Sequence, residues 1–238
     1  MKKIGILTYF WAENPGTFLQ AYSMLQAFRK RFPGDRVELV DYRHRWVYFK
    51  PNRSHISFNQ WVKDFRRYRI YRRTQKDHLL TSQDRLVSRD SQRAWDFIEK
   101  QHYDLIVVGS DTILELHQRH VRDGGIPVYW LPPWIGSKKV MCAASAGAAT
   151  YEQLNRHQQA ALSASANSFD LLGVRDDGTF DLIKKLGLKD EYKVQVVPDP
   201  TFTYCIDYTF VQRLMRKRNL DFTKPTVALH LPRIFKEV

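Results

Sequence analysis

Short apolar runs alternate with longer amphipathic stretches along most of this chain. Ile4 to Tyr9, Val37 to Tyr42, Leu105 to Gly109, Lys139 to Ala144, Leu171 to Val174 and Val194 to Val197 read as strands, most of them apolar nearly throughout, as strands buried on both faces are. Between them, helices are predicted over Thr17 to Phe32, Ser91 to Lys100, Tyr151 to Ser165, Thr179 to Leu186 and Tyr208 to Arg218. The first helix has a stripe of Leu19, Tyr22, Leu25 and the turn Gln26 to Phe28, and a stop signal at Phe32-Pro33-Gly34. Strands that alternate with helices build βαβ units, so the pattern predicts an α/β fold with a doubly wound, mostly parallel sheet. After Pro225, the segment Thr226 to Leu231 reads as one more strand, and no helix is predicted after it. A parallel partner needs a crossover connection, so this strand is either the edge of one domain or the start of a second lobe. The expected organisation is a lobe over residues 1–224, with 225–238 the first strand of a truncated or absent second lobe.

The junctions between strands and helices hold the chemistry. Asn14-Pro15-Gly16-Thr17 turns the first strand into the first helix, which places a helix N-terminus at the carboxyl edge of the sheet, where doubly wound folds bind anionic ligands. Gly109-Ser110-Asp111 follows Val107-Val108, so Asp111 either faces the ligand crevice, as an acid, base or hydroxyl holder, or caps a helix. Leu172-Gly173-Val174-Arg175-Asp176 presents a guanidinium at another strand end. That fork suits a carboxylate or phosphate, or an ion pair with Asp176, Asp177 or Asp199. Asp199-Pro200-Thr201 stands at a third strand end, as a ligand group or as the shaper of a turn. Ala143 to Ala149, with Ser145 and Gly147, is a run of small residues that permits close backbone approach.

Charge changes this picture in one place. The formal net charge is +13 over 238 residues, and much of the excess lies between Arg43 and Arg93, including Arg66, Arg67, Arg69, Arg72, Arg73 and Lys76. Trp46, Tyr48, Phe49, Phe58, Trp61, Phe65, Tyr68 and Tyr71 interleave with these cations, and Trp61, Phe65 and Tyr68 keep helical spacing. The stretch 43–93 is therefore expected to be a basic helical insertion. Either its aromatics pack on the body under arginine stems, or its basic face meets an anionic polysaccharide, a membrane surface or, as a distant third, nucleic acid.

Other classes are excluded or weakened. No apolar run reaches the roughly 18 residues of a membrane span, and Glu13 interrupts the faint likeness of the start to a signal peptide. Cys142 and Cys205 offer neither a disulfide framework nor a zinc site, which fits a reducing cytoplasm, with the inner face of the membrane as an alternative position. Neither G-x-G-x-x-G nor a Walker A loop occurs, which argues against dinucleotides and P-loop nucleotides. His117 and His120 have only Glu115 nearby, so no metal is expected, and Ser145 has no nucleophile-elbow context.

The ordered set of motifs resembles the polysaccharide pyruvyl transferase family. The matching pieces are Lys3 to Thr8 with Asn14 to Tyr22, Val37 to Tyr42, Tyr103 to Asp111, Cys142 to Gly147, Gly173 to Asp176 and Asp199 to Thr201. The resemblance implies a Rossmann-like lobe, the N-terminal one of a two-lobed glycosyltransferase-like fold. It also implies transfer of a pyruvyl group from phosphoenolpyruvate to sugar hydroxyls, with no cofactor beyond that donor substrate. On it, Asp111 and Arg175 are the catalytic candidates, and Asn14, Gly16, Thr17, Gly109, Ser110, Ser145, Gly147 and Asp199 the substrate-binding ones. The chain departs from the family pattern at Asn14-Pro15-Gly16, where Asn-Tyr-Gly is common. It departs again at Thr112-Ile113-Leu114, in place of Gln-x-Trp, and at Arg175-Asp176, in place of Arg-Glu. The resemblance also implies that a second lobe adds cationic and histidine residues to the cleft. The alternative is a noncatalytic scaffold of polysaccharide biosynthesis that binds a glycan or membrane surface through the basic insertion, and an exposed cleft face predicts self-association.

Overall fold

The computed structural model describes residues 1–45, 58–116, 125–204 and 208–217. Seven parallel strands form one sheet: β1 (Lys3–Leu7), β2 (Arg36–His44), β3 (Thr81–Ser88), β4 (Leu105–Val108), β5 (Lys138–Ala144), β6 (Leu171–Val174) and β7 (Val194–Val196). Their order in the sheet is β3-β2-β1-β4-β5-β6-β7. The order reverses between β1 and β4, which pair from Ile4 opposite Leu105 to Leu7 opposite Val108. This is the doubly wound, Rossmann-like arrangement, and the reversal opens a crevice at the carboxyl ends of those two strands.

Helices α1 (Pro15–Arg31), α2 (Phe58–His78), α3 (Ser91–Glu99), α4 (Arg156–Ser168) and α5 (Asp177–Lys185) cover the two faces. Alternation along the strands divides the core. Ile4 and Ile6 of β1, Val37 and Leu39 of β2 and Val107 of β4 pack with Ala21, Met24 and Leu25 of α1. Leu7, Val40, Tyr42, Ile106 and Val108 face the other way, in a cluster with Ala94 and Ile98 of α3, Leu162 and Ala166 of α4, and Leu182 and Ile183 of α5.

Most element positions follow the hydrophobic pattern, with two corrections. The stretch 43–93 is not purely helical, because it contains the edge strand β3, paired with β2 from Leu39 opposite Thr81 to His44 opposite Ser88. Its sequence, TSQDRLVS, is polar because an edge strand meets water along one side, which blunts the apolar signature. The helix expected from Tyr151 begins as a 3-10 turn, Tyr151–Gln153, and α4 starts after the Asn155 cap, where Asn155 and Gln158 bond reciprocally to each other's backbone N–H. The buried stripe of α1 is Thr17, Ala21, Met24 and Leu25 rather than Leu19 and Tyr22. Tyr22 instead stacks on Phe18, and Phe18 meets Tyr71 of α2, because α2 covers a second side of α1.

The chain divides into two compact units, Met1–Thr203 and Tyr204–Val238. Of the second, the structure describes Tyr204 and one amphipathic helix, α6 (Tyr208–Lys217). The expected strand Thr226 to Leu231, the boundary at 224, Cys205, His117 and His120 lie outside the described residues. No helix among the described residues is long and apolar enough to cross a membrane.

Candidate functional site

The crevice at the β1–β4 switch is built from the turn that starts α1 and the loop that follows β4. Asn14 caps α1: its Oδ1 accepts the backbone N–H of Gly16 at 2.9 Å and of Thr17 at 3.5 Å. That side chain thus occupies two of the helix N-terminal donors expected to face a ligand. The next residue in the turn, Thr17, donates its hydroxyl to Asp111 Oδ2 at 3.0 Å. Residues 94 positions apart meet here, and the aspartate is a crevice residue rather than a helix cap.

The backbone that carries Asp111 is unusual. Gly109 has φ +136°, Asp111 has φ +98°, and the peptide between Gly109 and Ser110 is cis. A Cβ on Gly109 would lie 2.0 Å from the carbonyl oxygen of Cys142, so only glycine lets this loop press against β5. Asp111 then continues the sheet. It forms a parallel bridge with Ala144, and its carbonyl accepts the N–H of Ser145 at 3.1 Å. Its Oδ1 accepts the backbone N–H of Thr112 at 2.8 Å. Ser110 is fully buried, and its hydroxyl has no hydrogen-bond partner among the described residues.

A second group forms at the ends of β6 and β7. Arg175 Nη1 donates to Asp199 Oδ2 at 3.1 Å, and Gln20 of α1 donates to the same oxygen at 2.6 Å. Thr201 satisfies the other oxygen through its N–H at 2.9 Å and its hydroxyl at 2.8 Å. Burial alone would raise the pKa of Asp199, but these four hydrogen bonds outweigh it and hold the carboxyl below its ordinary value. Arg175 is thus positioned by Asp199, the ion pair foreseen as one of its two roles, and its side chain keeps 26% of its exposure.

The run of small residues after β5 has a structural task as well. Asp176 caps α5 through Thr179 N and Oγ1, both at 2.8 Å. Ser145 also bonds to Asp176, and burial, which would raise that carboxyl, is outweighed by these bonds and by Arg175. Ser145 Oγ accepts the N–H of Gly147 at 3.0 Å, and Ala146 N–H reaches Thr179 Oγ1 at 2.8 Å. Ser145 is therefore tied into a turn, and Gly147, at φ +63°, lies against the Glu115 carboxyl.

These contacts bring the predicted residues into two clusters linked by α1, since Thr17 and Gln20 are one helical turn apart. The family model of polysaccharide pyruvyl transferase matches residues 14–228, which include every residue of both clusters. The chain belongs to that family. Comparison with the curated proteins finds no match. Gln20 lies in the matching stretch Asn14 to Tyr22 but is not among the site residues expected from the sequence. Its signal was the i, i+3 spacing from Thr17, which sets both side chains toward one edge of the sheet. Tyr9, Tyr42 and Tyr129, whose rings meet edge-on, are not among the site residues expected from the sequence.

The basic helix α2 packs one side on the body and leaves several aromatic and apolar side chains exposed. Tyr71 donates to the Asn14 carbonyl and Gln75 to the Phe10 carbonyl, so its inner side is anchored on the turns that lead into α1. Burial pushes the Tyr71 phenol up to about 12, against the lowering pull of the Asn14 bond. Phe65, Tyr68 and Ile70 remain exposed, and Arg72 lies over the Tyr68 ring at 5.2 Å.

Proposed function

We propose that this lobe binds phosphoenolpyruvate and a sugar at the β1–β4 crevice and serves pyruvyl transfer in the cytoplasm. The observation that supports the reading most is the coincidence of the family match with the Thr17–Asp111 and Gln20–Asp199–Arg175 contacts at one sheet edge. In this reaction the methylene carbon of the enol takes a proton and becomes a methyl group. A sugar hydroxyl bonds to the adjacent carbon and a second hydroxyl displaces phosphate from it by cleavage of the C–O bond. Of the two protons the hydroxyls give up, one balances that taken by the methylene carbon and the other leaves with the phosphate, so the products are a cyclic ketal and inorganic phosphate. Arg175, held by Asp199, offers its remaining N–H groups to the donor's carboxylate or phosphate. Asp111 accepts a hydrogen bond from the attacking hydroxyl and orients it. A second, facing lobe belongs to this reading, since a cleft closed on both sides excludes water.

Calorimetric titration of phosphoenolpyruvate at low salt tests it. Binding is expected in the wild type and is expected to weaken at least about tenfold in Arg175→Ala, the loss of one charge-assisted contact. Asp111→Ala should keep donor binding and lose transfer. Absence of donor binding by the folded chain would favour the scaffold reading, which the exposed Arg66, Arg67, Arg69 and Arg73 on α2 support. That reading requires binding of an anionic glycan that disappears when those arginines are neutralised.

A further inference from the structure

On the α3 side of the sheet lies a cavity of about 410 Å³, one of whose lining residues, Tyr129, lies within reach of the Asp111 charge. This falls in the range of small-molecule sites. Its aromatic wall comes from Tyr9 after β1, Tyr42 on β2, Trp95 on α3 and Tyr129. Tyr9 meets Tyr129 edge-on at 5.2 Å, and Tyr42 meets Tyr129 edge-on at 6.5 Å. The rings are held rigidly: the Trp95 indole donates to the Val128 carbonyl at 2.9 Å, and Tyr42 and Tyr129 are 1% and 3% exposed.

Two features give this cavity a ligand chemistry. First, the hydroxyls of Tyr42 and Tyr129 are buried and have no hydrogen-bond partner among the described residues, although both residues line the cavity. A buried hydroxyl left unpaired costs free energy, and a ligand hydroxyl can satisfy it. Second, the polar groups around the rings are of mixed kind: Asp90, Glu115, Arg89, His44 and His157 all line the space. With acidic and basic groups side by side, the lining selects for neither an anion nor a cation and suits a neutral polyol. Burial, and then Tyr9, Tyr42 and Asp111, push the Tyr129 phenol far above its ordinary value. It stays a neutral donor and acceptor close to the Asp111 carboxylate.

We infer that this cavity is the binding subsite for the pyranose ring of a neutral sugar, whose ring packs on Trp95 and Tyr9 while its hydroxyls pair with Tyr42 and Tyr129. The inference rests on the proposed function in one respect, that the sugar's reacting hydroxyl points toward Asp111. The cavity tyrosines belong to the core on the α3 face of the sheet, whereas α1, which carries Gln20, covers the other face, so donor and acceptor would occupy different walls.

The test is saturation-transfer NMR on the full chain with the methyl β-pyranosides of galactose, glucose and N-acetylglucosamine, together with Trp fluorescence. At least one pyranoside should bind and perturb Trp95. Tyr42→Phe and Tyr129→Phe should each weaken it roughly three- to tenfold, the loss of one hydrogen bond, and leave phosphoenolpyruvate binding unchanged. Each variant also removes a buried hydroxyl that is unpaired among the described residues, so its melting temperature should not fall, which separates a lost contact from a lost fold. The inference is overturned if no pyranoside binds, if binding ignores both substitutions, or if inorganic phosphate competes for the space. Pyranoside binding without any phosphoenolpyruvate binding would sink the pyruvyl transfer reading and leave the sugar subsite standing.

Discussion

The two ends of the strands each hold acidic side chains in hydrogen bonds, and they surround them in opposite ways. At the amino edge, Glu38 of β2 is fully buried. It accepts Arg36 Nε and Nη2, each at 2.8 Å, and the Tyr103 hydroxyl at 3.0 Å, with Lys3 at 3.8 Å. Lys3 Nζ in turn reaches the Gln101 carbonyl and lies over the Tyr103 ring. The network is closed on itself. At the carboxyl edge, Asp111 and Asp199 are bonded as well, but Ser110 beside Asp111 and the cavity tyrosines Tyr42 and Tyr129 carry buried hydroxyls that the described residues leave unpaired. A satisfied buried network rigidifies a fold, whereas unpaired buried groups mark a place where something else completes the bonding. The contrast separates structural polarity from functional polarity within one sheet.

The largest effect that tests this contrast is on stability. Glu38→Ala should cost about 2–3 kcal/mol, somewhat below a fully buried ion pair because Arg36 and Lys3 can recover water while Tyr103 cannot. Urea unfolding measures it, and phosphoenolpyruvate binding should not change. A loss under about 1 kcal/mol would mean that the amino edge is not the brace described here.

A smaller effect concerns pH. The folded state holds Asp199 below its ordinary pKa, so its contribution to stability is present above the unfolded carboxyl value and is lost as pH falls through the depressed one. Melting temperatures between about pH 6 and pH 2 should therefore drop more steeply in the wild type than in Asp199→Asn. Parallel curves would show that the Gln20, Thr201 and Arg175 bonds do not favour the ionised form. The smallest effect is that of Ser110→Ala, which should leave stability within about 1 kcal/mol of the wild type, or raise it, because the hydroxyl it removes has no hydrogen-bond partner among the described residues. A clear destabilisation would show that Ser110 is bonded and would weaken the distinction between the edges.

Much of this was legible in the sequence, for identifiable reasons. Buried parallel strands are apolar on both faces, so β1, β4 and β6 announced themselves, and Gly, Asn and Asp at their ends marked the crevice. β3 did not, because an edge strand faces water and its Asp84 and Arg85 read as loop or helix surface. Asp111 was found because a strand end is a position, while its partner Thr17 depends on the β1–β4 switch that only the strand order reveals. Arg175 was found with two roles open, and the hydrogen bonds on Asp199 show how the pairing holds it. The tyrosines stayed hidden because an aromatic that lines a cavity and one that fills a core look the same in one dimension.

The hydrogen bond from Gln20 to Asp199 joins residues 179 apart in the chain. A growing polypeptide can assemble β1, α1 and β4, and with them the Thr17–Asp111 contact, long before Asp199 has been made. Contacts of such sequence separation form late because the intervening chain must first be ordered. The anchor of Arg175 is therefore among the last parts of this lobe to be put in place, and the lobe gains its cationic wall only when nearly all of its sheet exists.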